Sequence, residues 1–253
     1  MDFTIIIPAR NEYENLKIIL PRLIKLYPQA EILIIDGNSN DKTLELDKKF
    51  NVSIVKEMAS SKPGKAVAMR LGAKLARSDC IIFFDADCSH NPDDIKKIIS
   101  PIIKKDYLHV SGSRTLGGSS ELFDGFSHFI RLTGSLIINN LISRFFKFHI
   151  TDAQNGLRAF DRNFFMSLKT QSIHTTIEQE CVFKTLLKGE PILELPTHEF
   201  KRLHGNSKIN LFRHGPLYLY QILKLIMTGI GKRKTIRNFN SHKNALDWWK
   251  KET

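Results

Sequence analysis

The chain has 253 residues, of which 42% are hydrophobic and 25% are charged. That size and balance suit one large globular domain with at most a small appendage, and they exclude a chain that is disordered throughout. Lysine and arginine number 38 against 26 acidic residues, and the resulting net charge of +12 favours anionic partners such as nucleic acid, phosphorylated metabolites or an acidic membrane surface.

The first 113 residues alternate between short apolar runs and amphipathic segments. The runs predict five strands, at 3–8, 30–36, 52–57, 80–85 and 107–113. The segments between them predict helices at 14–27, 64–76 and 92–105, with a further one opening near Asp41. This alternation is typical of an open α/β sheet with helices on both faces.

The second half of the chain has a different pattern. A long amphipathic segment follows residue 117, and residues 151–165 form a polar loop that enters a helix. Residues 175–190 predict another helix, which precedes a strand and a basic loop. Residues 211–234 predict an amphipathic helix with basic ends; such a helix either lies on an anionic lipid interface, packs on the core or binds a second copy.

Polar motifs follow the strands at one edge of this predicted sheet. "PARNE" follows the first strand, "DGNSND" the second, "DAD" the fourth and "GSR" the fifth. Ligands of open α/β sheets bind at the carboxyl ends of the strands, so this coincidence predicts a binding site. Taken alone, "DGNSN" also suits an ordinary turn and helix cap.

Asp85 and Asp87 are two residues apart at a strand end. Side chains alternate along a strand, so both carboxylates can face the same point. Their repulsion favours a hard divalent cation, Mg²⁺ or Mn²⁺, with bound phosphates. A turn with capping aspartates is the alternative for this motif alone.

Several basic residues stand where they can contact phosphate. Lys65 lies at a helix start, where backbone N–H groups also face anions. Arginine is the preferred bidentate partner of phosphate, and a glycine loop with basic residues at 202–208 is suited to closing over a diphosphate. The candidates are Arg114, Arg131, Arg158, Arg202 and Lys208. Alternatively, Arg131 is solvated and Arg158 is an ion-pair partner.

Glu178 and Glu180 lie at a predicted helix start. The helix dipole favours carboxylates there, which gives a structural explanation. The functional explanation is a general base or a group that orients the acceptor.

Three cysteines, Cys80, Cys88 and Cys181, are too few and too scattered for a disulfide framework or a zinc site. They fit a reducing, cytosolic compartment. The N-terminus has neither the basic nor the apolar region of a signal peptide, and no window holds 18 apolar residues. We therefore expect neither a signal peptide nor a membrane span.

Eight motifs in order resemble family 2 glycosyltransferases, in particular the dolichyl- or polyprenyl-phosphate mannose synthase-like branch. They run from residue 3 to 209 and are "IPARNE", "DGNSNDKT", "GKAVAMRLGAKLARSD", "DADCSHNPDDI", "GSR", "TDAQNGLRAF", "TIEQE" and "ELPTHEFKRLHGNSKI". Gly37 stands where the family usually has a second Asp, and Ser89 stands where the synthases commonly have Gln.

The resemblance implies a GT-A fold and a nucleotide-sugar donor, GDP- or UDP-linked. It implies a glycosyltransferase domain over 1–210, with a nucleotide-binding half at 1–106 and an acceptor half at 107–210, and a basic amphipathic extension over 211–253. Lining the implied nucleotide pocket are Pro8, Ala9, Arg10, Asn11, Glu12 and Asp36.

The resemblance also implies roles at the phosphates. Asp85 and Asp87 match the metal-binding pair on the donor diphosphate, where Ser89 can add a ligand. Arg202 and Lys208 match a mobile loop that contacts phosphates, and Arg114 and Arg131 lie where the synthases bring arginines to the acceptor phosphate.

Together these features predict an inverting, metal-dependent transfer of a hexose of mannose or glucose type to a polyprenyl phosphate. An alternative is extension of a lipid-linked or cell-surface polysaccharide with Glu178 or Glu180 as base, since a hydroxyl acceptor needs one. A remote alternative is a nucleic-acid-binding α/β protein, motivated by the charge. We expect peripheral attachment at the cytoplasmic face of the membrane, and self-association is possible.

Overall fold

A computed structural model describes residues 3–57, 64–120, 126–205 and 211–237. Its strands are β1 Phe3–Ala9, β2 Glu31–Asp36, β3 Ser53–Lys56, β4 Cys80–Phe83, β5 His109–Ser113, β6 Arg158–Asp161 and β7 Leu193–Pro196. Its helices are α1 Tyr13–Leu26, α2 Lys65–Leu75, α3 Asp94–Ile103, α4 Arg114–Gly117, α5 Phe126–Phe146, α6 Arg162–Ser167, α7 Ile177–Leu187 and α8 Leu211–Gly229. A 3₁₀ segment covers Lys42–Lys48.

The strands of the described chain form one sheet in the order β3-β2-β1-β4-β6-β5-β7. Strand β6 is antiparallel to β4 and β5, and the other neighbours are parallel. The five strands predicted in the first 113 residues are confirmed. The predicted loop and helix start of 151–165 are observed, but strand β6 between them was missed, because its four residues carry a charge at each end and show no apolar alternation.

Two apolar layers cover the sheet, one on each face. Ile5 and Ile7 of β1 pack with helices α1 and α3, whereas Ile6 packs with α2, as the two-residue period of a strand requires. Gly72 lets α2 approach β1, because a Cβ there would lie 2.4 Å from the Ile6 side chain. The predicted arrangement of helices on both faces is confirmed.

A third apolar cluster lies outside the sheet and joins α5, α7 and α8. It includes Ile142, Phe146, Phe183 and Ile222. Helix α8 therefore packs on the same body as the sheet. No helix in the described part of the chain has the length and apolar character needed to cross a membrane.

Candidate active site

The loops after β1 and β2 are bonded to each other at the carboxyl edge of the sheet. The N–H of Gly37 donates to the carbonyl of Ala9 at 2.8 Å, and the N–H of Asn11 donates to the Ser39 hydroxyl at 2.8 Å. Asp36 is fully buried at the end of β2. The structure thus brings together the residues for which the resemblance implied a nucleotide pocket; their binding role stays a prediction.

Three residues at this edge other than glycine have a left-handed backbone. They are Asn11, with φ of 56°, Asn38, with 60°, and Cys88, with 64°. Asparagine tolerates this region better than most residues, but cysteine does not favour it. Such conformations persist where the surroundings impose them, often at functional sites.

Asp85 follows β4 and is surrounded by fixed partners. One carboxylate oxygen lies 2.6 Å from the Lys65 Nζ, and the other lies 3.5 Å from the His90 Nε2. Lys65 also contacts Glu178, at 2.8 Å. Gly156 leaves room for this side chain, because a Cβ there would lie 2.0 Å from the Asp85 carboxylate and would force one of the two to shift.

Neighbouring charges determine the protonation states of Asp85 and Lys65. Burial by itself would raise the pKa of Asp85, but the Lys65 ammonium and the neighbouring His90 hold it well below its usual range. Burial by itself would lower the pKa of Lys65, and the carboxylates of Asp85 and Glu178 more than offset it, so that the pKa of Lys65 is raised. Asp85 and Lys65 are therefore both ionised at neutral pH.

Asp87 has a different set of partners. The Ser89 hydroxyl and N–H donate to one oxygen at 2.6 and 3.1 Å, and Arg202 donates to the other at 3.0 Å. Arg202 also donates to both oxygens of Glu12, at 2.9 and 3.2 Å. Arg202 therefore links the loop after β1 to the loop after β4, and Ser89 orients Asp87 whether or not it also binds a metal.

Residues 199–205, here called the strap, cross the loop that carries the two aspartates. The N–H of Phe200 donates to the carbonyl of Ser89 at 2.8 Å, and that of Leu203 donates to the carbonyl of Asp87 at 3.3 Å. Asn15 of α1 is buried and bonds to both backbone groups of His204, at 3.0 and 3.1 Å. These contacts fix Arg202 above the aspartates. Lys208 lies outside the described residues.

A second cluster of charges lies beside β5 and β7. Arg114 donates to both oxygens of Asp152 at 2.7 and 2.8 Å and to Glu199 at 3.2 Å. Buried Glu194 accepts the N–H groups of Thr151 and Asp152, both at 2.8 Å. Glu194 thus holds the loop that presents Asp152 to Arg114.

Two of the predicted site residues are bonded within the scaffold, and their predicted functional roles stay predictions. Arg158 is fully buried and donates to the backbone carbonyls of Ala153, Asn155 and Glu178, so its guanidinium stabilises the scaffold and does not face an acceptor. Glu180 accepts bonds from the N–H groups of Gln171 and Ser172, from the Ser172 hydroxyl, and from Lys184. Its carboxylate is therefore bonded away from Asp85, whereas Glu178 shares Lys65 with Asp85. The region around Asp85, Lys65 and Glu178 is called the crevice below.

Arg131 and Arg114 keep their predicted roles as proposals. Arg131 lies half-buried on α5, and its charge reaches the hydroxyl of Tyr218 on α8. Tyr218 is also within the electrostatic reach of Glu178 and Lys65. Arg131, Glu178 and Lys65 therefore all act electrostatically on the Tyr218 hydroxyl.

Sequence reasoning missed several residues of the two clusters. His90, Asp152, Glu194 and Glu199 are single polar residues whose partners lie far away in the chain, so spacing did not reveal them. Asn15 follows Glu12 by three residues and contacts it at 2.6 Å, a helical spacing that could have been noticed. A further buried carboxylate, Glu57, lies at the end of β3; burial raises its pKa.

The residues around Asp87 suit a hard divalent cation. Across the described ranges, no three His, Cys, Asp or Glu side chains are grouped to hold a metal ion by themselves. Two aspartates and a serine hydroxyl are nevertheless oxygen donors of the kind that Mg²⁺ and Mn²⁺ take together with phosphates and water. Asp87 is 20% exposed and Asp85 25%, so a ligand can reach both, in exchange for the contacts with Lys65 and Arg202.

Comparison with known proteins agrees with this geometry. The model of Glycosyl transferase family 2 matches residues 4–169, more than half of the chain. An uncharacterized protein of Methanocaldococcus jannaschii is 31% identical over 157 residues, which cover 62% of this chain and 63% of that protein. The chain thus spans less than two thirds of that relative.

Two relatives with named activities match more of their own length. The UDP-N-acetylglucosamine–dolichyl-phosphate N-acetylglucosaminyltransferase of Methanococcus voltae is 29% identical over 185 residues, 66% of this chain and 72% of that protein. The undecaprenyl-phosphate mannosyltransferase of Micrococcus luteus is 26% identical over 214 residues, 81% of this chain and 86% of that protein.

A solved structure shares the fold. Glucosyl-3-phosphoglycerate synthase from Mycobacterium tuberculosis, in complex with Mn²⁺, uridine diphosphate and glucosyl-3-phosphoglycerate, superposes with a TM-score of 0.67 at 18% identity. The match covers 91% of this chain and 80% of that one. The chain therefore has the GT-A fold, belongs to glycosyl transferase family 2 and is a glycosyltransferase.

Proposed function

We propose that this enzyme transfers a hexose of mannose or glucose type from a nucleotide sugar to a polyprenyl phosphate, with inversion at the anomeric carbon. The observation that carries the proposal is the pair Asp85 and Asp87, each held by a separate cation, Lys65 and Arg202, at the edge where the nucleotide loops meet. Two relatives named for transfer to polyprenyl-type phosphates support the acceptor. GDP- and UDP-linked donors are both within the proposal.

The side chains of the crevice suit the departure of a nucleoside diphosphate. The acceptor phosphate oxygen forms a bond to the anomeric carbon, and the bond from that carbon to the diphosphate breaks with its electron pair on the leaving oxygen. Arg202 and Lys65 place positive charge beside that oxygen, where the transition state gains negative charge. A Mg²⁺ or Mn²⁺ ion, when held by Asp85 and Asp87, supplies further positive charge to the diphosphate.

A phosphate acceptor is already anionic and needs no general base. Arg114 and Arg131 are the side chains that we assign to it, since arginine binds phosphate in a bidentate manner. In the described part of the chain, Asp152 and Glu199 occupy three donors of the Arg114 side chain. A guanidinium has five, so two are available there for an anion. Such an acceptor would place the enzyme at the cytoplasmic face of a membrane.

The donor test is calorimetry against GDP- and UDP-sugars, with and without Mn²⁺, on the wild type and Asp85→Ala. We expect Mn²⁺-dependent binding that the variant loses. Asp93→Ala is the control, because Asp93 is an exposed aspartate paired only with exposed Arg22. Equal donor binding and unchanged metal dependence in Asp85→Ala would contradict the assignment of the aspartate pair.

The acceptor test is a product assay that offers polyprenyl phosphate with each donor. Transfer to the lipid supports the proposal. If the enzyme binds a donor but transfers nothing to polyprenyl phosphate across the donor panel, the acceptor assignment is wrong, and extension of a glycan becomes the favoured function.

One observation favours that second function. Glu178 is 3% exposed, and its second carboxylate oxygen has no hydrogen-bond partner in the described structure. A hydroxyl acceptor needs a base, and removal of a general base costs about 10²–10⁴-fold in rate. Glu178→Gln therefore separates the two: a loss of that size indicates a hydroxyl acceptor, and a small change indicates a phosphate acceptor.

A further inference from the structure

Helix α8 presents apolar side chains to solvent as well as to the protein. Leu217, Tyr220, Leu223, Met227 and Ile230 are 52%, 65%, 44%, 73% and 68% exposed. They follow one another at intervals of three or four residues, so they form one line along the helix, about 20 Å long at 1.5 Å per residue. These five residues are called the apolar stripe.

The opposite face of α8 is fully used by the fold. Ile222 is buried, and Leu225 and Ile226 pack against the cluster shared with α5 and α7. A helix that is apolar on both faces is expected either inside a protein or against a membrane. The packing with α5 and α7 explains one face of α8 but not the stripe.

The excess positive charge of the chain lies in the same segment. Between Glu199 and Asp247 there is no acidic residue, and there are ten lysines and arginines. The rest of the chain holds the other 28 basic residues against all 26 acidic ones, so it is close to neutral. In the described part, exposed basic residues lie within the stripe or directly after it: Lys224, Lys232, Arg233, Lys234 and Arg237.

Helix α8 is also connected to the candidate active site, through residues outside the stripe. The side-chain amide of Gln179 donates to the Tyr218 carbonyl at 2.8 Å and to Gln221 at 2.6 Å, and Thr175 bonds to the Tyr218 hydroxyl. Gln179 is the neighbour of Glu178, which contacts Lys65. Helix α8 therefore packs against α7, the helix that carries Glu178. The exposed face of α8 points away from the protein.

We propose that the apolar stripe and the basic residues around it form a docking surface for the anionic face of a phospholipid bilayer. Helix α8 lies along the membrane plane, the stripe enters the boundary between headgroups and acyl chains, and the lysines and arginines meet lipid phosphates. The purpose of this surface rests on the proposed function, since it would bring the crevice to a lipid-linked acceptor. A second copy of the chain suits the stripe less well, because pairing would bring two strongly basic segments together.

The test is cosedimentation of the full chain with vesicles of phosphatidylcholine, with and without phosphatidylglycerol. We expect binding to the anionic vesicles that weakens as salt rises. The double variant Tyr220→Glu/Met227→Glu should lower the partition coefficient at least about tenfold. Lys232→Glu/Lys234→Glu should lower it by a similar factor, about tenfold, and flatten the salt dependence. Ile18→Glu/Leu75→Glu is the matched control, because those side chains are 47% and 43% exposed elsewhere, and it should bind as the wild type does.

Several outcomes would overturn the proposal. One is a wild type that does not bind anionic vesicles, and another is equal binding by the α8 variant and its control. A dimer in sedimentation that Tyr220→Glu dissociates, without vesicle binding, would assign the stripe to a second copy. If the double variant does not fold, the single change Met227→Ser at the most exposed position repeats the comparison. The vesicle assay needs neither donor nor acceptor, so vesicle binding without lipid-phosphate transfer would contradict the proposed function alone.

Discussion

The two charge clusters of the molecule differ in how far their charged side chains are exposed to solvent. At Asp85 and Asp87, the carboxylates are a fifth to a quarter exposed, and their cations come from a helix start and from the strap. In the other half, Asp152, Glu194 and Arg158 are buried; Glu194 and Arg158 are bonded to backbone groups, and Asp152 is paired with Arg114. The first cluster can exchange its partners for a ligand, whereas the buried groups Asp152, Glu194 and Arg158 hold the loops around them.

The largest expected effect on stability comes from removing the buried guanidinium of Arg158. Arg158→Met leaves the carbonyls of Ala153, Asn155 and Glu178 without their donor, so we expect the free energy of unfolding to fall by about 3–5 kcal/mol. Chemical denaturation measures it. Arg22→Met, which breaks an exposed ion pair with Asp93, should cost under about 1 kcal/mol. A loss at Arg158 no larger than at Arg22 would contradict the scaffold role.

The next largest effect is the pH dependence of stability that Glu194 causes. Burial raises the pKa of Glu194 to about 7 from an ordinary value of 4.5, against the opposing effect of the two N–H groups that it accepts. A raised carboxyl pKa means that the folded state binds more protons than the unfolded state between these values. The contribution of Glu194 to stability therefore falls as pH rises from 4.5 to about 7, by at most about 1.4 kcal/mol per unit within that window.

Glu194→Gln removes that titration, so the decline between pH 4.5 and about 7 should be missing from the variant. Urea unfolding at a series of pH values measures the two slopes. The slope is the readout because the substitution also changes stability at every pH. Glu14→Gln, at a side chain 58% exposed, should keep the wild-type slope. Parallel curves for wild type and Glu194→Gln would contradict the assigned titration.

The smallest expected effect is on hydrogen exchange in the strap over Asp85 and Asp87. Asn15→Ala removes both bonds to His204, and we expect the amides of residues 199–205 to exchange hydrogen faster by about tenfold, the equivalent of about one net hydrogen bond. If the proposed function holds, KM for the donor should rise by a similar factor. Gln29→Ala is the control, because Gln29 is exposed in the turn between α1 and β2. Unchanged exchange in the strap would show that Asn15 does not hold it.

Local pattern was sufficient for the N-terminal half of the sheet. Apolar runs such as 3–8 and 30–36 form buried parallel strands, and the residues that end them share one edge because parallel strands run the same way. That is why the loops containing Asn11, Asp36 and Asp85 could be placed together from their positions alone. Strand β6 could not be predicted in this way, because its four residues show no periodic pattern and its pairing depends on strands that lie far away in sequence.

The amino-acid sequence by itself determined the α/β architecture, the edge at which polar loops meet and the excess of positive charge near the C-terminus. Only the tertiary structure decided which charges pair: Lys65 with Asp85 and Glu178, Arg202 with Asp87 and Glu12, and Arg158 with backbone carbonyls inside the core. The reason is physical, because periodicity reports which side of an element is buried, whereas an ion pair depends on two side chains that the fold brings within about 4 Å of each other from distant positions.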